Sequence, residues 1–95
     1  MSDIIEGAVR KLNDKLGGSF DGSAKFEIED EGAILVDNDG IRAGDGAADV
    51  TLSADAETFR EMLDGDLNPT SAYMGGRLKI DGDMGLAMKL GAALS

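Results

Sequence analysis

Residues 24–42 read AKFEIEDEGAILVDNDGIR, and the rhythm of this stretch decides the architecture. Ala24, Phe26 and Ile28 alternate with Lys25, Glu27 and Glu29, the period of a strand with one buried face. Asp30-Glu31-Gly32 interrupts the alternation as a turn, and Ala33 to Val36 returns as a second strand. Asp37-Asn38-Asp39-Gly40 is a strong hairpin signal, because Asn, Asp and Gly tolerate the backbone angles of a tight connection. A short third strand follows through Ile41 and Arg42.

Outward from this hairpin pair the period changes. Upstream, Ile4, Ile5, Ala8, Val9, Leu12 and Leu16 recur at helical spacing, Asp3 and Glu6 are placed for a capping box, and Gly17-Gly18 stops the helix. Downstream, a glycine-rich bend over 43–48 leads to a fourth strand with Val50 and Leu52 on one face. Ser53 or Asp55 caps a helix carrying Phe59, Met62 and Leu63, which Gly65 ends. Asn68 caps a shorter helix that Pro69 opens and Gly75-Gly76 breaks. Arg77 to Ile80 alternates as a fifth strand with Leu78 and Ile80 inward, and Asp83 caps a last helix. The predicted order is a helix, four meandering strands, two helices, a strand and a helix, in one domain over 1–95. Segregated helices and strands predict an α+β fold: a five-stranded, mostly antiparallel sheet covered on one face by helices.

Composition removes whole classes of chemistry. The chain of 95 residues has no cysteine and no histidine, so thiol catalysis, disulfides and the commonest metal ligand and general base are all excluded. Nineteen acids against nine bases give a net charge of −10, which opposes nucleic-acid binding and lasting adsorption to anionic membranes. The longest clearly aliphatic run, Ala33 to Val36, is far too short to span a bilayer, so no stable membrane insertion is expected. The charged N-terminal stretch MSDIIEGAVRKLNDKL lacks an apolar signal region and points to a cytoplasmic protein.

The acidic and glycine-rich motifs fail as sites. DNDG (37–40) begins like a calcium loop, but the third ligand position falls on Ile41 and no closing glutamate follows. DGDM (81–84) fails in the same way at Gly85. GIRAGDG (40–46) matches no dinucleotide fingerprint, and there is no GK[ST] phosphate loop. Asp64 and Asp66 flank a helix-ending glycine, a solvated turn rather than a tuned acid–base pair, and no hydroxyl has a histidine to activate it. No catalytic residue, no metal and no cofactor is expected, and the chain is predicted not to be an enzyme.

What remains is apolar. Phe59, Met62 and Leu63 on one helix, Tyr73 and Met74 on the next, and Met84 and Met88 on the last are placed to converge over a sheet face. That face carries Phe26, Ile28, Ile34 or Leu35, Val50, Leu52, Leu78 and Ile80. Methionine fills space loosely, which suits an adaptable wall around an apolar guest. In the last helix Met84, Ala87, Met88 and Gly91 form one stripe, and Leu86, Leu90 and Leu94 another. A small domain rarely surrounds its terminal helix, so the second stripe needs a ligand, a partner or a second copy.

Residues 48–90, ADVTLSADAETFREMLDGDLNPTSAYMGGRLKIDGDMGLAMKL, resemble the sterol carrier protein 2 family. The matching pieces are ADVTL, then Phe59, Leu63, Gly65, Leu67 and Pro69, then Ala72, Gly76, Leu78, Lys79, Ile80 and Gly82, and finally Met88-Lys89-Leu90. The resemblance implies an apolar tunnel between sheet and helices. It also implies a non-catalytic carrier of fatty acids, acyl-CoA, phospholipids or sterol- and isoprenoid-like lipids. The lipid-binding wall would then comprise Phe26, Ile28, Ile34, Phe59, Met62, Leu63, Tyr73, Met74, Leu78, Ile80, Met84 and Met88, with Arg77 and Lys79 as headgroup cations at the rim. Asp81 stands where relatives often carry lysine, and the chain lacks the peroxisomal C-terminal tripeptide of many eukaryotic members, which fits a prokaryotic, cytoplasmic setting. The alternative is an accessory module of lipid or quinone biosynthesis, docking a partner enzyme or a homodimer mate through its last helix.

Overall fold

The computed structural model describes residues 3–94. Nine elements follow in the predicted order: α1 (Asp3–Leu16), β1 (Ala24–Ile28), β2 (Gly32–Asp37), β3 (Gly40–Ala43), β4 (Val50–Ala54), α2 (Ala56–Leu63), α3 (Pro69–Met74), β5 (Lys79–Gly82) and α4 (Met84–Leu94). Local chemistry sets most of the boundaries. Gly17, at φ +72°, donates its N–H to the Asn13 carbonyl at 2.9 Å and ends α1. Asp55 rather than Ser53 caps α2, its carboxylate accepting from the Thr58 N–H at 2.7 Å. Asn68 caps α3 through the Thr70 N–H at 2.8 Å, with Pro69 as the first helical residue. Asp83 accepts from the Leu86 N–H at 3.1 Å at the start of α4.

The five strands form one sheet in the order β3-β2-β1-β4-β5. Three pairings are antiparallel, but β1 and β4 run parallel, in register from Ala24 opposite Val50 to Ile28 opposite Ala54. This corrects the expected four-strand meander: only β1 to β3 meander, and β4 crosses back to the free side of β1. The glycine-rich bend is the crossover itself. Its Asp45 binds the Lys25 ammonium at 2.9 Å and Gly46 sits over Leu35, so it runs across the face of the sheet that carries Lys25 and Leu35.

The opposite face is the core. Phe26 pairs laterally with Ile34 and Leu52, and all three are essentially buried beneath the helices. Ile5, Ala8 and Leu12 of α1, Phe59, Met62 and Leu63 of α2, and Ala87, Leu90 and Leu94 of α4 close over it. Each such side chain, fully buried, stabilises the fold by about 1.5–3 kcal/mol for the larger aliphatic and aromatic types. Thr58 is the one buried polar residue among those described, and it sits directly behind the α2 cap.

Candidate functional site

The apolar residues singled out in the sequence separate into three places. Phe26, Ile34 and Met62 are fully buried and line neither of the two grooves in which the other residues stand. Ile28, Phe59 and Leu63 reach the floor of a groove of about 430 Å³ between α1 and α2, where Lys11 and Arg60 also stand. Tyr73, Met74, Leu78, Ile80, Met84 and Met88 all line one further groove, about 410 Å³, between α3, α4 and the β4–β5 edge of the sheet. That volume lies within the range of about 300–1,000 Å³ usual for small-molecule sites. Both grooves open to solvent.

The α3–α4 groove has a buried floor and an exposed apolar mouth. Leu52 and Leu78, at 1% and 2% exposure, form the floor. Met74 and Met88 are 80% and 74% exposed, and Tyr73 and Met84 are about two-fifths exposed. Four large apolar side chains thus surround one opening, an arrangement that scattered surface hydrophobes do not produce. The α4 geometry explains it. Ala87, Leu90 and Leu94 turn inward, leaving Met84 and Met88, one helical turn apart, on the outer stripe.

The sequence reading missed Pro69, Thr70 and Ala92, which complete the lining. Pro69 lies against Gly91, where an added Cβ would make an ordinary van der Waals contact with the proline ring at 3.7 Å. The signal was present: 84, 88, 91 and 92 fall on one helical face, and small residues at its end invite a neighbouring helix.

The two proposed rim cations lie elsewhere. Arg77 donates to Glu61 on α2 at 2.6 Å, and this bond raises its proton affinity further. Lys79 faces the other side of the sheet, in register with Ser53 and Glu27. Neither lines the α3–α4 groove. Lys89, on α4, turns away to Asp21 at 3.2 Å and lies 5.5 Å from the Phe20 ring centre.

The other depressions suit an apolar guest poorly. One of about 730 Å³ lies beside the β1–β2 turn, where Glu27, Asp30, Glu31 and Asp45 stand among Ile5, Ile28, Ala33 and Ala43. Among the described residues no group of acids is arranged to hold a metal ion. The carboxyls with displaced proton affinity all move down. The Thr58 hydroxyl and N–H hold Asp55 low, Arg42 holds Asp37 low, and Lys25 holds Asp45 low. A general acid near neutral pH needs the opposite displacement. No helix among the described residues is long and apolar enough to cross a membrane.

Comparisons with known proteins agree on a family and a fold. The profile of the SCP-2 sterol transfer family matches residues 6–95. Among curated proteins, the chain is 46% identical over 77 residues to hydroxysteroid dehydrogenase-like protein 2 of Danio rerio, covering 73% of this chain and 19% of that one. It is 37% identical over 88 residues to the Homo sapiens protein of the same name, covering 93% and 20%. The chain therefore spans about a fifth of the length of these relatives. Among solved structures, sterol carrier protein-2 of Aedes aegypti in complex with palmitate superposes with a TM-score of 0.78 at 20% identity, covering 100% of this chain and 97% of that one. Sterol carrier protein 2-like 2 of Aedes aegypti gives 0.77 at 20% identity, covering 94% of each chain.

Proposed function

This chain belongs to the SCP-2 sterol transfer family, and on that premise we propose that it is a non-catalytic lipid carrier. The α3–α4 groove receives the apolar chain of a fatty acid, acyl-CoA, phospholipid, or sterol- or isoprenoid-like lipid. The single observation that carries this reading is the ring of Tyr73, Met74, Met84 and Met88 around a floor of Leu52 and Leu78. Burial supplies the driving force, at roughly 25 cal/mol per Å² of apolar surface removed from water. Methionine walls adapt to guests of different width and release them again. Phe26, Ile28, Ile34, Phe59, Met62 and Leu63 border the guest once its tail parts α2 from the sheet. Arg77 can serve as a headgroup cation only after leaving Glu61, and Lys79 only for a headgroup that wraps the sheet edge.

The test is native mass spectrometry of the purified protein, followed by organic extraction and identification of any lipid. A co-purifying lipid near one per chain supports the carrier. A bare protein that also rejects fluorescent fatty acids refutes it.

The relatives favour a second reading. The matched segment is about a fifth of proteins named hydroxysteroid dehydrogenase-like, so the chain could instead serve a separate enzyme by presenting the same methionine face to it. Substituting Met74 and Met88 by Ser would then abolish complex formation with that enzyme, whereas the carrier reading has it abolish lipid retention.

A further inference from the structure

Resting on the carrier reading, we infer that the α3–α4 groove selects uncharged lipids, such as alcohols, esters and neutral isoprenoids, over lipids with a carboxylate. The argument is electrostatic. No residue lining the groove carries a charge, and its side-chain polar groups are the Thr70 and Tyr73 hydroxyls. A hydroxyl donates to or accepts from a neutral headgroup, but offers a carboxylate no compensating charge.

The surrounding charges reinforce this. Among the described residues the cations on neighbouring elements face elsewhere: Arg77 to Glu61, Lys89 to Asp21, and Lys79 to the far side of the sheet. The acid next to the groove is Asp83 at the cap of α4, exposed and adjacent to Met84, while Asp81 shares the far face of β5 with Lys79. The whole chain carries −10, a field that repels anions and enriches none at the mouth. A carboxylate drawn against this wall loses hydration and gains no partner. A neutral headgroup of the same size avoids that cost.

Dodecanol and dodecanoate differ at the head alone, and the methionine methyl groups report where each binds. With [¹³C-methyl]methionine protein at pH 7.5, dodecanol should shift Met74, Met84 and Met88 with a dissociation constant at least tenfold below that of dodecanoate. Lowering the pH to 5.5 should tighten dodecanoate, as its neutral form grows, and leave dodecanol unchanged. Met88→Lys should bring the two ligands within about threefold of each other. Dodecanoate binding as tightly as dodecanol at pH 7.5, with the same methyls shifting, would overturn the selectivity while leaving the carrier reading intact. A protein that binds neither ligand would overturn both.

Discussion

The rings of Phe26 on β1 and Phe59 on α2 meet edge to face, with centroids 5.4 Å apart and planes inclined by 76°. Both rings are almost fully buried, and their contact holds α2 against the centre of the sheet. Phe59→Ala should therefore cost about 3–5 kcal/mol, as large-to-small changes in a filled core do. Urea denaturation measures it. A loss below about 1 kcal/mol would mean that the Phe26–Phe59 contact does not hold α2 to the sheet.

Met88, 74% exposed on α4, offers the opposite case. Met88→Trp adds volume over the groove without entering the core, so stability should stay within about 0.5 kcal/mol. Binding of an apolar fluorescent probe should fall at least tenfold. Tyr73→Ala should weaken the same binding several-fold with stability nearly unchanged. A melting temperature that drops with either substitution would reassign that residue to the core.

Gly82 closes β5 at φ +110°, and a Cβ there would stand 2.3 Å from the Asp49 carbonyl oxygen. The adjacent Asp83 N–H already donates to that oxygen at 2.9 Å, so the backbone cannot retreat. Gly82→Ala should cost about 2 kcal/mol or more, combining a conformation that L residues rarely adopt with a direct clash. Thermal unfolding of the variant checks this.

Acid should destabilise the fold through its capped and paired aspartates. Asp55, Asp37 and Asp45 bind protons less tightly folded than unfolded, where the ordinary aspartate value is 3.8. Their contribution is thus complete above that value and disappears as the pH falls through the lower folded values. Urea midpoints should be flat from pH 7 to 5 and fall below about 4. Asp55→Asn should flatten part of that acid limb; an unaltered limb would exclude the α2 cap as a contributor. Asp55→Ala, which removes the cap altogether, should cost about 1 kcal/mol at pH 7.

The elements themselves were readable because each carries a local signature: the alternation of Ala24, Phe26 and Ile28, the caps Asp55, Asn68 and Asp83, and the stop at Gly17. The place of β4 was not. Alternation says which way Val50 and Leu52 point, and nothing about which strand lies beside them. The Lys25–Asp45 bond that straps the crossover joins residues 20 apart, with no local trace. The gathering of the α3 and α4 methionines was half legible: helical period placed Met84 and Met88 together, while their meeting with Tyr73 and Met74 depends on α3 packing beside α4, a tertiary contact that helical period does not report. Lys79 was misplaced as a rim cation although Leu78 and Ile80, both inward, already send the residue between them to the other side.

The parallel β1–β4 pairing imposes a timetable on assembly. The β1–β3 meander closes with neighbours only, so it can form as soon as residue 43 is available. The other side of the central strand waits for residues 50–54, and β5 for residues 79–82. The helix that seals the sheet's apolar face, α4, follows every strand in the chain. Until it docks, Leu52 and Leu78 lack the cover of Ala87, Leu90 and Leu94. A nascent or partly unfolded chain therefore exposes a broader greasy surface than the native groove, and slow, non-local closure lengthens that exposure. On the carrier reading, a lipid present at that stage would meet the floor of the proposed site before its wall is built.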